Sequence, residues 1–238
     1  MGSVTRELAR RKIDKFLCET RSEAELTTTT FGPLDKYVAA NDNVPVAKQP
    51  APKRDWNAGL PRAGDFMQTF TGRKYWPMSP RPHEVYIEDI AHSLGLQCRY
   101  AGHCIKFYSV AEHSVLIARH LAAKHAPEVA LAGLLHDAPE AYCVDIPRPL
   151  KPYLTNYRAI EQDNWLAITA RFGLPKELPR EVHDADNRII SDELVNLRHM
   201  PWHARHDKPL GVKLRYWSPE EAELEFLATF DALMAGRA

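Results

Sequence analysis

The stretch Ala130-Leu131-Ala132-Gly133-Leu134-Leu135-His136-Asp137-Ala138-Pro139-Glu140-Ala141-Tyr142 decides how this chain is read. An apolar, Ala/Leu-rich helical run ends on an imidazole and a carboxylate standing side by side. Burying the two against that apolar face is costly unless something pairs with both. A divalent cation does so, because neutral imidazole nitrogen and carboxylate oxygen are both good ligands for it.

A cation needs more than two ligands. Upstream, Val110-Ala111-Glu112-His113-Ser114 leads into a second helix expected over Ser114 to His125. Downstream, His183-Asp184-Ala185-Asp186-Asn187 opens a third. His113, the His136-Asp137 pair and one late Asp would give four ligands from three helices, the way helical bundles build metal sites. Glu140 lies four residues after His136. If the helix continues, it shares that face and can serve as a general acid or base. Asp145 follows in Val144-Asp145-Ile146-Pro147-Arg148-Pro149-Leu150-Lys151, a segment stiffened by its prolines.

On these residues the chain resembles the HD superfamily of metal-dependent phosphohydrolases, with the signature H…HD…D. His113 matches the first His, His136-Asp137 the central pair, and Asp186, preceding Asn187-Arg188, the terminal Asp. The closer likeness is to the bacterial 5′-deoxynucleotidases and the related phage dATP triphosphohydrolases. It is carried by Ala111-Glu112-His113-Ser114 and by the string from His136 to Lys151, and covers residues 66–197.

The resemblance implies an all-α HD-domain helical bundle with minor β-hairpin elements. It implies metal ligation by His113, His136, Asp137 and Asp186, with Glu140 and Asp145 as catalytic residues. Arg99 would hold phosphate through its guanidinium fork, Tyr100 would stack on the nucleoside, and His103 and Lys151 would be further substrate contacts. One divalent transition metal is implied, of which Mn, Co, Fe and Zn all suit the donor set. A binuclear site is disfavoured, because His183 is the only His between Asp137 and Asp186. The expected activity is 5′-deoxynucleotidase action on dNMPs, with dNTP triphosphohydrolase as the alternative. A nucleotide-sensing or interaction module is the reading from another class. Homo-oligomerisation is a further implication.

Composition bounds the rest. The 238 residues carry 31 Lys plus Arg and 31 Asp plus Glu, so no global basic field points to nucleic acid or a membrane surface. Cys18, Cys98, Cys104 and Cys143 form no C-x-x-C pair and read as reduced thiols of a cytoplasmic protein. No apolar run approaches a transmembrane span.

Residues 1–62 read as an extension: a short helix near residues 4–26, a Thr run, and a Pro-rich basic linker at 44–55. Residues 63–238 read as the phosphohydrolase domain. Within it the pattern predicts a hairpin over 66–76 and helices at 87–94, 113–125, 127–141, 155–172 and 180–199. A strand is expected at 212–217. Ser218-Pro219-Glu220-Glu221 forms a capping box that launches a last helix to about Met234. The His-rich 199–207 segment reads as a surface loop, and Tyr75-Trp76 as packing.

Overall fold

The computed structural model describes residues 62–237; the N-terminal helix, Thr run and linker expected within residues 4–55 lie outside them. The hairpin forms as expected. β1 (Met67–Gln68) pairs antiparallel with β2 (Lys74–Tyr75), with Met67 opposite Tyr75. Gly72 takes φ 78° in the turn, a conformation that costs glycine little. Tyr75 carries the hairpin into the core: it is fully buried, stacks on Tyr142 at 3.7 Å and donates its hydroxyl to Asn164 Oδ1 at 2.7 Å.

Seven α-helices follow among the described residues: α1 (Ile87–Leu96), α2 (Val110–Ala122), α3 (Pro127–Leu135), α4 (Glu140–Cys143), α5 (Tyr157–Phe172), α6 (Arg180–Glu193) and α7 (Pro219–Ala235). The architecture is therefore mostly helical, with a single two-stranded sheet among these residues. No helix among them is long and apolar enough to cross a membrane.

Helix α2 is the hub and touches α1, α3, α6 and α7. Its first nine residues are all buried, so it is apolar-packed all round. Helix α3 lies close against it because Gly133 has no Cβ. A methyl there would meet Leu121 Cδ1 at 2.6 Å and Ile117 Cγ2 at 3.2 Å. Helix α7 closes the other side with Ala222, Phe226, Leu227, Phe230 and Leu233. Its N-terminus carries the expected capping box, with Ser218 Oγ accepting from Glu221 N and Glu221 accepting from Ser218 N. Each fully buried aliphatic side chain contributes about 1.5–3 kcal/mol of transfer free energy.

The structure corrects several expectations. Helix α2 begins at Val110, earlier than expected, because Ser109 caps it and accepts from Glu112 N at 3.0 Å. The helix expected over 127–141 is broken at the decisive pair. Helix α3 stops at Leu135, and residues 136–139 tighten into turns in which Ala138 N and Glu140 N bond back three residues. Pro139 is the cause, since it has no N–H and its ring excludes the preceding turn. The helix expected to reach residue 199 ends at Glu193 and tightens into a 3-10 turn, Leu194–Asn196.

The strand expected at 212–217 is absent. Those backbone N–H groups find no sheet edge. The buried Glu112 carboxylate accepts from Arg215 N, Tyr216 N and Trp217 N instead. The His-rich segment is not a free loop: Pro201–Arg205 is a 3-10 helix, and it forms one wall of the cavity described below.

Candidate functional site

The Ala-Glu-His-Ser motif divides its labour. Glu112 turns outward from α2 to hold the strap before α7, and His113 on the next step turns inward, fully buried. His136 stands at the end of α3, where its Nδ1–H donates to Gly133 O at 2.8 Å. Its Nε2 is thereby left as a bare acceptor. His113 is arranged the same way, with Nδ1–H donated to Glu193 Oε1 at 2.6 Å and Nε2 facing away. Both Nε2 atoms are buried and make no hydrogen bond.

What the two lone pairs face are carboxylates. His113 Nε2 lies 3.3 Å from Asp186 Oδ1 and 3.6 Å from Asp137 Oδ2; His136 Nε2 lies 3.8 Å and 3.2 Å from the same two atoms. Ligand atoms of His113, His136 and Asp186 all lie within 4.8 Å of one another, and this group could hold a metal ion. Asp137 Oδ2 adds a fourth acceptor by the distances above. Ligand bonds of about 2.0–2.2 Å in a tetrahedral or octahedral shell separate neighbouring ligand atoms by about 2.8–3.6 Å. The observed spacings, 3.2–3.8 Å, run from within that range to slightly above it. Two imidazole nitrogens and the Asp186 carboxylate at these spacings, with Asp137 Oδ2 beside the imidazoles, form a donor set that fits a divalent metal. The second nitrogen of each imidazole donates to a carboxylate or a carbonyl, which is how metal-binding histidines are oriented.

The charges are strongly coupled. Burial acts to lower the pKa of His136, but Asp137 and Asp186 overcome it and hold the ring well above the ordinary imidazole value. For His113, burial and the Arg99 charge act downward, and Glu193 and Asp186 bring it above the ordinary value. Burial would raise both aspartates, yet the two imidazoles hold both well below the usual carboxylate range. Protons on the imidazoles thus do in part what a cation does fully.

The chain is similar to YfdR, an uncharacterized protein of Escherichia coli strain K12. That protein is 39% identical to this chain over 132 residues, 56% of this chain and 72% of YfdR. The uncharacterized protein RCAP_rcc00048 of Rhodobacter capsulatus is 31% identical over 188 residues, 71% of this chain and 95% of that protein. The chain belongs to the family of these two proteins. No protein-family model matches it.

In this member of the YfdR family the cluster opens on a cavity of about 1350 Å³. Asp137 and Asp186 lie in its wall together with Glu140, Asp145, Arg99, Tyr100, His103 and Lys151, so it gathers every remaining residue singled out from the sequence. Arg99 NH1 lies 3.4 Å from Asp137 and NH2 3.8 Å from Glu193, and its Nε is buried without a hydrogen bond. Tyr100 donates its hydroxyl to Glu193. Lys151 Nζ pairs with Glu161 at 3.0 Å and lies 3.8 Å from Glu140 Oε1. Glu140 is buried and its Oε2 makes no hydrogen bond. Burial, then Asp137 and Asp145, push its pKa well above the usual value, so it holds a proton readily. His103 is exposed at the rim. Asp184, the alternative to Asp186, is exposed and pairs with Arg188.

Several participants escaped sequence reasoning. Glu193 is fully buried, and Arg99, His113 and Tyr100 together hold its carboxyl down at about 2 against the effect of burial. Gln97 fastens the segment that carries both expected catalytic carboxylates: its Nε2 donates to Glu140 O at 3.0 Å and its Oε1 accepts from Asp145 N at 3.1 Å. Arg148, Trp202 and His203 also line the cavity. A buried Glu in the last turn of a helix that supplies a candidate ligand was the only available signal for Glu193. Nothing in the spacing marks Gln97 or Trp202.

Proposed function

We propose that this chain is an HD-type, divalent-metal-dependent phosphohydrolase acting on deoxynucleotides, with 5′-monophosphates as the first substrates. The observation that supports this best is the cluster of His113, His136 and Asp186, with Asp137 Oδ2 beside both imidazoles, at a cavity lined by Arg99 and Lys151. When bound, the cation would activate water and neutralise charge developing on phosphate oxygens. Arg99, with its unpartnered Nε and its place in the cavity wall, would orient the phosphate by its fork of donors. Lys151 adds a second positive charge on the Glu140 side. Glu140 Oε2 would carry the proton delivered to the leaving oxygen, a task that suits a carboxyl whose pKa is raised. Asp145, its backbone N–H held by Gln97, would receive a proton from water or bind a sugar hydroxyl.

The nucleoside needs an aromatic face. Tyr100 has its hydroxyl tied to Glu193, whereas Trp202 also lines the cavity, with edge-on contacts to His203 and His206. Trp202 therefore supplies the stacking surface in this reading. A triphosphohydrolase is the second reading. It is favoured by the cavity's size, above the usual range for small-molecule pockets, and by Arg148, Arg198 and Arg205 along its walls.

The test is a phosphate-release screen over dNMPs, NMPs and dNTPs with Mn, Co and Mg. Orthophosphate from dNMPs supports the first reading and inorganic triphosphate from dNTPs the second. No release from any of them under any metal removes both. Asp137→Ala should abolish turnover. Trp202→Ala should raise KM about 5- to 100-fold, the loss of a stack worth about 1–3 kcal/mol, while kcat holds; an unchanged KM would remove the stacking role.

A further inference from the structure

We propose that Cys98 and Cys104 form a reversible intramolecular disulfide that clamps the loop carrying Arg99 and Tyr100. The inference rests on geometry outside the metal cluster and does not depend on the reaction the cavity performs.

The two sulfurs already face each other, with Sγ–Sγ at 3.4 Å. A disulfide bond of about 2.05 Å needs them to close by about 1.4 Å. The backbone on both sides is pinned. Cys98 forms a bridge with Ser109, Arg99 N donates to Tyr108 O at 2.9 Å, and Ile105 N donates to Asn196 O at 2.8 Å. Between the pins run three successive left-handed residues, Tyr100 at φ 56°, Ala101 at φ 50° and Gly102 at φ 79°. Two of these carry side chains, and such conformations cost about 1–3 kcal/mol each unless the surroundings hold them. The loop's side chains do hold it, through Tyr100 on Glu193 and Arg99 between Asp137 and Glu193. A covalent clamp across the loop's base would hold it without them.

The thiols can be reached, because Cys104 lines the cavity. A peroxide is the oxidant class. One sulfur attacks the peroxide, the O–O bond breaks and water leaves, giving a sulfenic acid. The second sulfur then attacks the first, the S–O bond breaks and a second water leaves. Two S–H bonds are lost and one S–S bond forms, as one peroxide becomes two waters. A dithiol reverses the step by exchange. Burial and the neighbouring Cys98 push the Cys104 thiol up to about 11, so oxidation should speed up as pH rises. Cys143 is pushed still higher, to about 12, chiefly by burial and Glu161, and serves as an internal control.

The experiment treats the full-length protein with hydrogen peroxide, then maps peptides without reduction and follows amide exchange. The expected result is a Cys98–Cys104 cross-link within one chain, loss of two free thiols that dithiothreitol restores, and severalfold slower exchange across residues 99–104. Cys98→Ser and Cys104→Ser should each prevent the cross-link. A cross-link to Cys18 or Cys143, a bond between chains, or oxygen added to sulfur with no cross-link would overturn the proposal. So would a cross-link that leaves loop exchange unchanged. If either serine variant fails to fold, the wild-type peptide map decides alone.

Discussion

His113 is held from both ends. Its Nδ1–H is committed to Glu193 at 2.6 Å, and its Nε2 faces Asp186 and Asp137. Glu193 therefore sets the tautomer and aim of a candidate ligand from the far side of its ring. Glu193→Gln keeps the shape and an acceptor oxygen but removes the charge. The variant should bind Mn about 10- to 100-fold more weakly, the usual effect of losing such an orienting partner, with its thermal stability in chelator little changed. Isothermal titration against wild type checks this, and equal affinity would mean that Glu193 serves packing alone. The same residues predict a pH dependence. In the metal-free protein His113 and His136 are held above the ordinary imidazole value, so a cation must displace protons to bind. Affinity should fall as pH is lowered from about 8 to about 6, with protons released on binding. Titrations in buffers of different ionisation enthalpy measure that release; an affinity indifferent to pH would contradict the raised imidazole pKa values.

At the scale of elements, the site is a consequence of how closely α3 approaches α2. Gly133 permits the approach, and its carbonyl accepts the His136 Nδ1–H. Gly133→Val should cost about 1–3 kcal/mol through overpacking, read by urea denaturation, and should weaken metal binding as well because it shifts the end of α3. Unchanged stability would show that Leu121 yields freely. Elements also show what was legible in the sequence. The candidate ligands are readable because each sits in a short local string: Ala-Glu-His-Ser opens α2, His-Asp follows α3, and Asp186 lies within α6. The continuation of α3 to Ala141 was misread because Pro139 outweighs the helical periodicity around it. Residues 212–217 alternate like a strand, yet their N–H groups are taken by Glu112, a partner more than 100 positions away that no local pattern announces. Gln97 and Trp202 were invisible for the same reason: each matters only through residues the fold brings to it.

On the scale of the whole molecule, α2, the end of α3 and α6 bring His113, His136, Asp137 and Asp186 together from separate parts of the chain, so an ion bound there would tie the three together. Metal should therefore stabilise the entire domain. An ion at a hundred times its Kd adds about 2.7 kcal/mol, which for a domain of this size raises Tm by about 5–10 °C. Chelation should reverse the gain. The most direct measurement is the metal content and Tm of the purified chain after titration with Mn, Co, Fe or Zn, wild type beside His136→Gln. The account predicts about one ion per wild-type chain with the rise in Tm, and neither in the variant. Wild-type protein that takes up none of these ions, or a variant that binds as well as wild type, would contradict it.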